Sequence, residues 1–235
     1  PPGFNATHKM KLQGLFDTYL IGGASLIRRN LVEPFPTVDN NLLDSMLNIF
    51  DCYFEPFYPT EAGMRRTPED IKKLETQIEP LFWFVFTWSF AASVDRQGRK
   101  VMDQYIRSEM IMSGCAEPCP PKGYVYDYLY DLGSNDEENP RKPGWKAWMD
   151  TQPPYVYNKD ASYSELIIPT MDSVRYRHLL ELLVTNSKHV MMSGPTGTGK
   201  TVNINSHLQT GFSDKYVPLC ITFSAQTSAN QTQDL

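Results

Sequence analysis

The chain has 235 residues, 41% hydrophobic and 21% charged, with a formal net charge of −5. This is ordinary globular composition, enough for one large domain or two small ones. The acidic balance argues against non-specific binding to nucleic acid or to an anionic membrane, so neither is expected as a partner.

Residues 1 to about 128 read as helical. The stretch Lys11–Arg29 carries Leu12, Leu15, Phe16, Tyr19, Leu20, Leu26 and Ile27 near helical spacing, and Gly22-Gly23 is expected to weaken its middle. Pro34 and Pro36 interrupt. Thr37 or Asp39 is placed to cap a second helix, whose Leu42, Leu43, Met46, Leu47, Phe50 and Tyr53 form one apolar stripe before Pro56 and Pro59. Thr67-Pro68-Glu69-Asp70 is a start signal: a capping hydroxyl, Pro in the first turn, then acids at the positive end of the dipole. That helix runs into the aromatic segment Leu81–Trp88, with Pro80 expected to kink or divide it. The apolar stretch Leu81–Val94 is too short for a bilayer span and holds Thr87 and Ser89, so it reads as a core helix. Asp95-Arg96-Gln97-Gly98 reads as a turn and about Lys100–Met110 as a helix.

Residues 111–164 change character, with Gly, Pro and Tyr and an acidic run at Asp136-Glu137-Glu138. Tyr124–Tyr128 reads as a short strand. Trp145 and Trp148 are too costly to leave in water and are expected to dock on a neighbouring surface, which makes this an ordered connector. From Ser164 the pattern turns α/β: a helix Ser173–Thr185, a strand His189–Ser193, a helix Val202–Leu208 and a strand Val217–Phe223. The polar cluster Ser224, Gln226, Thr227 and Ser228 reads as a capped helix start. The four cysteines, Cys52, Cys115, Cys119 and Cys220, lack the ligand spacing of a zinc site and read as free thiols of a cytosolic-type protein. The opening Pro-Pro-Gly-Phe has no initiator Met and no signal-peptide pattern, and the chain is expected to be a piece of a longer one.

The most specific feature is Gly194-Pro195-Thr196-Gly197-Thr198-Gly199-Lys200-Thr201, which fits the phosphate-binding loop Gly-x-x-x-x-Gly-Lys-[Ser/Thr]. Its glycines let backbone N–H groups converge on phosphate oxygens. The helix beginning near Lys200 aims its positive end at the same oxygens. Lys200 places a compact charge on the β- and γ-phosphates, and the Thr201 hydroxyl is a ligand for Mg²⁺. The expected cofactors are therefore ATP or ADP with Mg²⁺. Hydrolysis also needs an acidic residue on a later strand, and no apolar strand ending in two acids occurs between Thr201 and Leu235. No catalytic residue is assigned within the chain.

Three segments carry a resemblance: Ile167–Tyr176, the loop Gly194–Thr201, and Phe223–Gln233. Together they resemble the start of the third AAA+ module of a dynein heavy chain, the axonemal dyneins above all. Upstream, Pro36–Leu42 and Trp88–Asp95 resemble the helical lid that ends the second module. The resemblance implies an α/β fold class, with a helical AAA+ lid segment followed by the N-terminal, incomplete part of a P-loop AAA+ core. The implied organisation is a lid-like region over 1–128, a connector over 129–164 and the start of the next core over 165–235. It implies the parent activity too: an ATP-driven ring of six modules that moves along microtubules and bends cilia or flagella, with the third module regulatory. Ile168, Pro169 and Thr170 resemble the segment that packs against adenine. The implied partners are the remaining modules of the heavy chain, microtubules and other dynein chains, and the implied location is the cytoplasm and cytoskeleton, in the axoneme of a cilium or flagellum. The alternative is a non-hydrolysing structural piece of a large axonemal assembly.

Other features have bland readings. His178 is expected to be a solvated or helix-face histidine. The aromatic run 81–90 lacks the interleaved positive charge of a nucleic-acid stacking platform and reads as core. Arg28-Arg29 and Arg65-Arg66 have the chemistry of arginine fingers but read as solvated.

Overall fold

The computed structural model describes residues 4–60, 63–64, 67–134, 140–155, 168–210, 212 and 216–233. The chain forms two compact units, Pro1–Pro195 and Thr196–Leu235.

In the first unit, α1 (Ala6–Asn30) begins where the Asn5 carboxamide accepts the His8 N–H at 2.8 Å. It runs unbroken through Gly22-Gly23. Gly23 is there for clearance: a Cβ at this position would sit 2.4 Å from the Phe86 ring. α2 (Asp39–Phe54) buries Leu42, Met46, Ile49, Phe50 and Phe54, while Leu47 is exposed, so the stripe is narrower than its sequence pattern. Neither Thr37 nor Asp39 caps it. The cap residue is Val38, whose N–H donates to Asn41 Oδ1 at 3.3 Å, and the Thr37 hydroxyl donates to Glu33 at 2.6 Å. A 3₁₀ turn at Glu55–Phe57 follows, and then two short antiparallel strands, β1 (Pro59–Thr60) and β2 (Gly63–Met64).

α3 (Pro68–Ser89) is the centre of this unit. The Thr67 hydroxyl accepts the Asp70 N–H at 3.2 Å and the Asp70 carboxylate accepts the Thr67 N–H at 3.1 Å, as the start signal predicts. Of the two outcomes expected at Pro80, a kink or a division, the helix is not divided. Every residue from Pro80 to Ser89 is buried, so the second half of the helix is packed on all sides and its burial outweighs the local penalty of about 3 kcal/mol for an internal proline. α1 and α2 both pack on it, with Phe82 meeting Phe16 at 5.9 Å and Phe50 at 6.4 Å between ring centroids.

The expected turn at 95–98 is instead the first turn of α4 (Arg96–Met112), with Asp95 Oδ1 accepting the Gly98 N–H at 2.7 Å. Val125–Asp127 forms a 3₁₀ turn, not the start of a strand. β3 (Tyr128–Asp131) pairs antiparallel with β4 (Gly144–Ala147), placing Tyr130 opposite Trp145 with rings 5.1 Å apart. Trp148 is buried and its indole N–H donates to the Tyr126 carbonyl at 3.0 Å, so both connector tryptophans are docked as expected. α5 (Met171–Thr185) packs against α2 and the 3₁₀ turn Trp148–Thr151.

The second unit contains α6 (Lys200–Thr210) and α7 (Ala229–Gln233). α7 starts as the polar cluster predicts: Ser228 Oγ accepts the Gln231 N–H at 3.2 Å and Gln231 Oε1 accepts the Ser228 N–H at 2.9 Å. The expected strands at 189–193 and 217–223 have no ladder among the described residues. A strand exists only with a partner to take its backbone hydrogen bonds. The apolar side chains Val217, Leu219, Ile221 and Phe223 are correspondingly all exposed. The helical first unit with its short ladders, followed by the loop and α6, matches the expected helical lid and partial α/β core.

Candidate nucleotide-binding site

The loop backbone shows why glycine recurs. Gly194, Gly197 and Gly199 have φ of 154°, 83° and 78°, which L side chains rarely adopt. At Gly197 a Cβ would meet nothing within 4 Å, so conformation and not crowding requires the glycine there. α6 then starts abruptly, the Asn203 N–H donating to the Gly199 carbonyl at 2.9 Å. Lys200 is half-buried in its first turn and donates from Nζ to the Thr198 hydroxyl at 3.2 Å. Thr196 to Gly199 and Thr201 are exposed. Residues 196–201 thus combine left-handed glycines, a helix N-terminus, an ammonium and a hydroxyl, the donor set that a polyphosphate and its magnesium require. Gly194 and Pro195 are exposed at the end of the first unit.

Ile168, Pro169 and Thr170 lie at the start of α5, with Ile168 exposed and Pro169 half-buried. The Thr170 hydroxyl accepts the Ser173 N–H at 3.2 Å, and Ser173 Oγ accepts the Thr170 N–H at 2.8 Å, so Thr170 caps α5. That places the helix start two residues before Ser173.

The structure refines several bland readings. Of the two readings of His178, the helix-face one holds: its ring packs 5.3 Å from Trp148, Nε2 lies 3.4 Å from the Tyr53 hydroxyl, and burial pulls its pKa down to about 4. Arg28 is ion-paired with Glu33 and Asp39, while Arg29 is exposed. Arg65 and Arg66 lie outside the described residues. Cys52, Cys115 and Cys119 are buried and unpaired, and burial pushes their thiols up to about 11, 11 and 12, which suppresses thiolate chemistry. The sequence reading missed Arg175, which is buried and lies over the rings of Trp88 and Tyr176 at 5.5 and 5.3 Å. Its only advance signal was helical spacing from Thr170.

Comparison with known proteins agrees with these features. Residues 12–150 match the family model of the dynein heavy chain AAA lid domain, and residues 155–235 match that of the P-loop containing dynein motor region. Human dynein axonemal heavy chain 1 is 38% identical over 231 residues, covering 94% of this chain and 5% of the relative. The mouse protein of the same name is 36% identical over 243 residues, covering 100% and 6%. Human dynein axonemal heavy chain 2 is 31% identical over 225 residues, covering 95% and 5%. The chain spans about one-twentieth of the length of these relatives. It belongs to the dynein heavy chain family, as a segment running from an AAA lid domain into a P-loop motor region.

Proposed function

We propose that this segment binds ATP or ADP with Mg²⁺ at Gly194–Thr201 and contributes a regulatory nucleotide site, that of the third AAA+ module, to the ring of an axonemal dynein motor. The observation that carries the reading is the loop itself: left-handed Gly197 and Gly199 lead straight into α6, with Lys200 and Thr201 in its first turn. In this proposal Lys200 holds the β- and γ-phosphates, Thr201 holds the metal through its hydroxyl, and backbone N–H groups of the loop, Pro195 excepted, cradle the oxygens. Ile168, Pro169 and Thr170 form the adenine side, with Thr170 acting through its cap on α5. Residues 1–128 serve as the lid of the preceding module, 129–164 as the connector and 165–235 as the start of the core. The acidic pair and arginine finger needed for hydrolysis come from the rest of the ring. The partners are then the other modules of the heavy chain, microtubules and further dynein chains, in the axonemal cytoskeleton of a cilium or flagellum. The names of the relatives and the match to a motor region support this placement.

Retention of labelled ATP tests the site. Lys200→Ala is expected to weaken it at least tenfold while the circular dichroism spectrum stays unchanged. Equal retention by the wild type and Lys200→Ala would remove the role given to Lys200.

A further inference from the structure

The net charge of −5 conceals a local excess of the opposite sign. One cavity of the first unit, about 290 Å³, is lined by Arg96, Arg99 and Lys100 from the start of α4 and by Arg175 from α5. Tyr124, Tyr126 and Asp127 complete its wall. Four cations thus face one carboxylate. Three of them stand in the first turns of a helix, where its dipole is already positive and the acid present is the capping Asp95.

Most of the surrounding carboxylates are engaged elsewhere, and of Asp95, Asp103, Asp127 and Asp172 only the last pairs with a cation of the cavity. Asp127 accepts the Tyr124 N–H at 2.8 Å, and Asp95 caps α4 through Gly98. Asp103 pairs with Arg107 and accepts the Val125 N–H at 2.7 Å. Asp172 pairs with Arg175. The guanidinium groups, in contrast, keep unused donors. Arg175 is 7% exposed, and its Nε is buried without a partner, although Nη1 reaches the Tyr126 carbonyl at 3.5 Å. Arg99 lies over the Tyr126 ring at 5.4 Å, and its Nε is also buried without a partner. Stacking on Trp88 and Tyr176 explains the plane of Arg175 but neither orphaned N–H. A buried donor left unsatisfied is costly, and clustered like charges add to that cost.

We infer that this cavity is a binding site for a phosphate-type oxyanion. A doubly charged tetrahedral group matches the surplus of four cations over Asp127 and Asp172, takes the planar guanidinium forks in bidentate fashion, and is small enough for the volume. The two sides of the cavity come from separate segments: α4 lies within the lid match and α5 within the motor-region match. A bound oxyanion therefore ties the lid to the helix that precedes the phosphate loop. This inference does not depend on the nucleotide site.

Calorimetric titration of pyrophosphate and orthophosphate into the chain carrying Lys200→Ala, which weakens the loop as a competing site, tests it. One saturable site is expected, at least tenfold weaker in Arg99→Gln and in the surface double variant Arg96→Gln/Lys100→Gln. The same titration with ATP identifies the source. Tenfold tighter binding than pyrophosphate means the oxyanion belongs to a nucleotide, and equal or weaker binding means a free phosphate species. No saturable binding would overturn the proposal. So would wild-type affinity in the double variant, which keeps the test decisive even if Arg99→Gln fails to fold.

Discussion

Two glycines of α1 separate helix propensity from packing. Gly14 is exposed, and a Cβ there would meet nothing within 4 Å. Gly14→Ala is therefore expected to stabilise the fold by about 1 kcal/mol, the ordinary gain of Ala over Gly inside a helix. Gly23→Ala has the same backbone gain, but its Cβ would sit 2.4 and 2.9 Å from two ring carbons of Phe86. That ring is fully buried and cannot retreat: Phe90 stacks on it at 5.1 Å, Trp83 meets it at 5.7 Å and Tyr105 at 6.4 Å. Overpacking of this kind costs about 1–3 kcal/mol. A contact an ångström inside normal range belongs at the upper end, so the net loss is about 1–2 kcal/mol. With a urea m-value of about 2–3 kcal/mol/M, the midpoint should fall by about 0.5 M in Gly23→Ala and rise by about 0.4 M in Gly14→Ala, with m unchanged. If Gly23→Ala stabilises as much as Gly14→Ala, the close approach of α1 to α3 is wrong.

Tyr126→Phe removes a buried hydroxyl that donates to the Ala91 carbonyl at 2.8 Å, and should cost about 1–2 kcal/mol in chemical denaturation; a neutral result would mean water replaces the bond. His178 carries a pH dependence. Its folded pKa of about 4 lies below the ordinary 6.5, so the unfolded chain binds its proton first. Its contribution is complete above pH 6.5, declines as pH falls towards 4 and is flat below, a loss on the order of 3 kcal/mol. His178→Phe should flatten the stability profile between pH 6.5 and 4, leaving the smaller share of His8, whose pKa burial also lowers; an unchanged slope would show that His178 is hydrated.

Features written in local chemistry were legible in the sequence. The cap at Thr67 and the polar start of α7 are each specified by a few adjacent residues and form as read, and the motif glycines Gly197 and Gly199 take the left-handed backbone that only glycine adopts freely. Features that depend on what packs against a segment were not. Pro80 signals a break, yet α3 continues because burial of Leu81–Ser89 on all sides dominates. Gly22-Gly23 signals weakness, but Gly23 marks a helix contact with Phe86, 63 positions away in sequence, that no local pattern contains. Helical spacing placed His178 and Arg175 on α5 without saying which face meets α2, Trp88 and Trp148, so His178 stayed open between a solvated and a helix-face reading and Arg175 was passed over. The segments 189–193 and 217–223 have the apolar composition of strands, and composition does not supply the neighbouring strand that a ladder requires. In the candidate site, the loop was readable by motif, whereas the cavity between α4 and α5 joins Arg96 to Arg175 across a long stretch of chain.

The central claim is that Gly194–Thr201 holds a nucleotide, and a structure of the chain solved with Mg·ATP tests it most directly. Density for a polyphosphate is predicted at Lys200 Nζ and the N-terminus of α6, with the metal against the Thr201 hydroxyl. A loop without bound phosphate at saturating nucleotide, or nucleotide held only between α4 and α5, would contradict it.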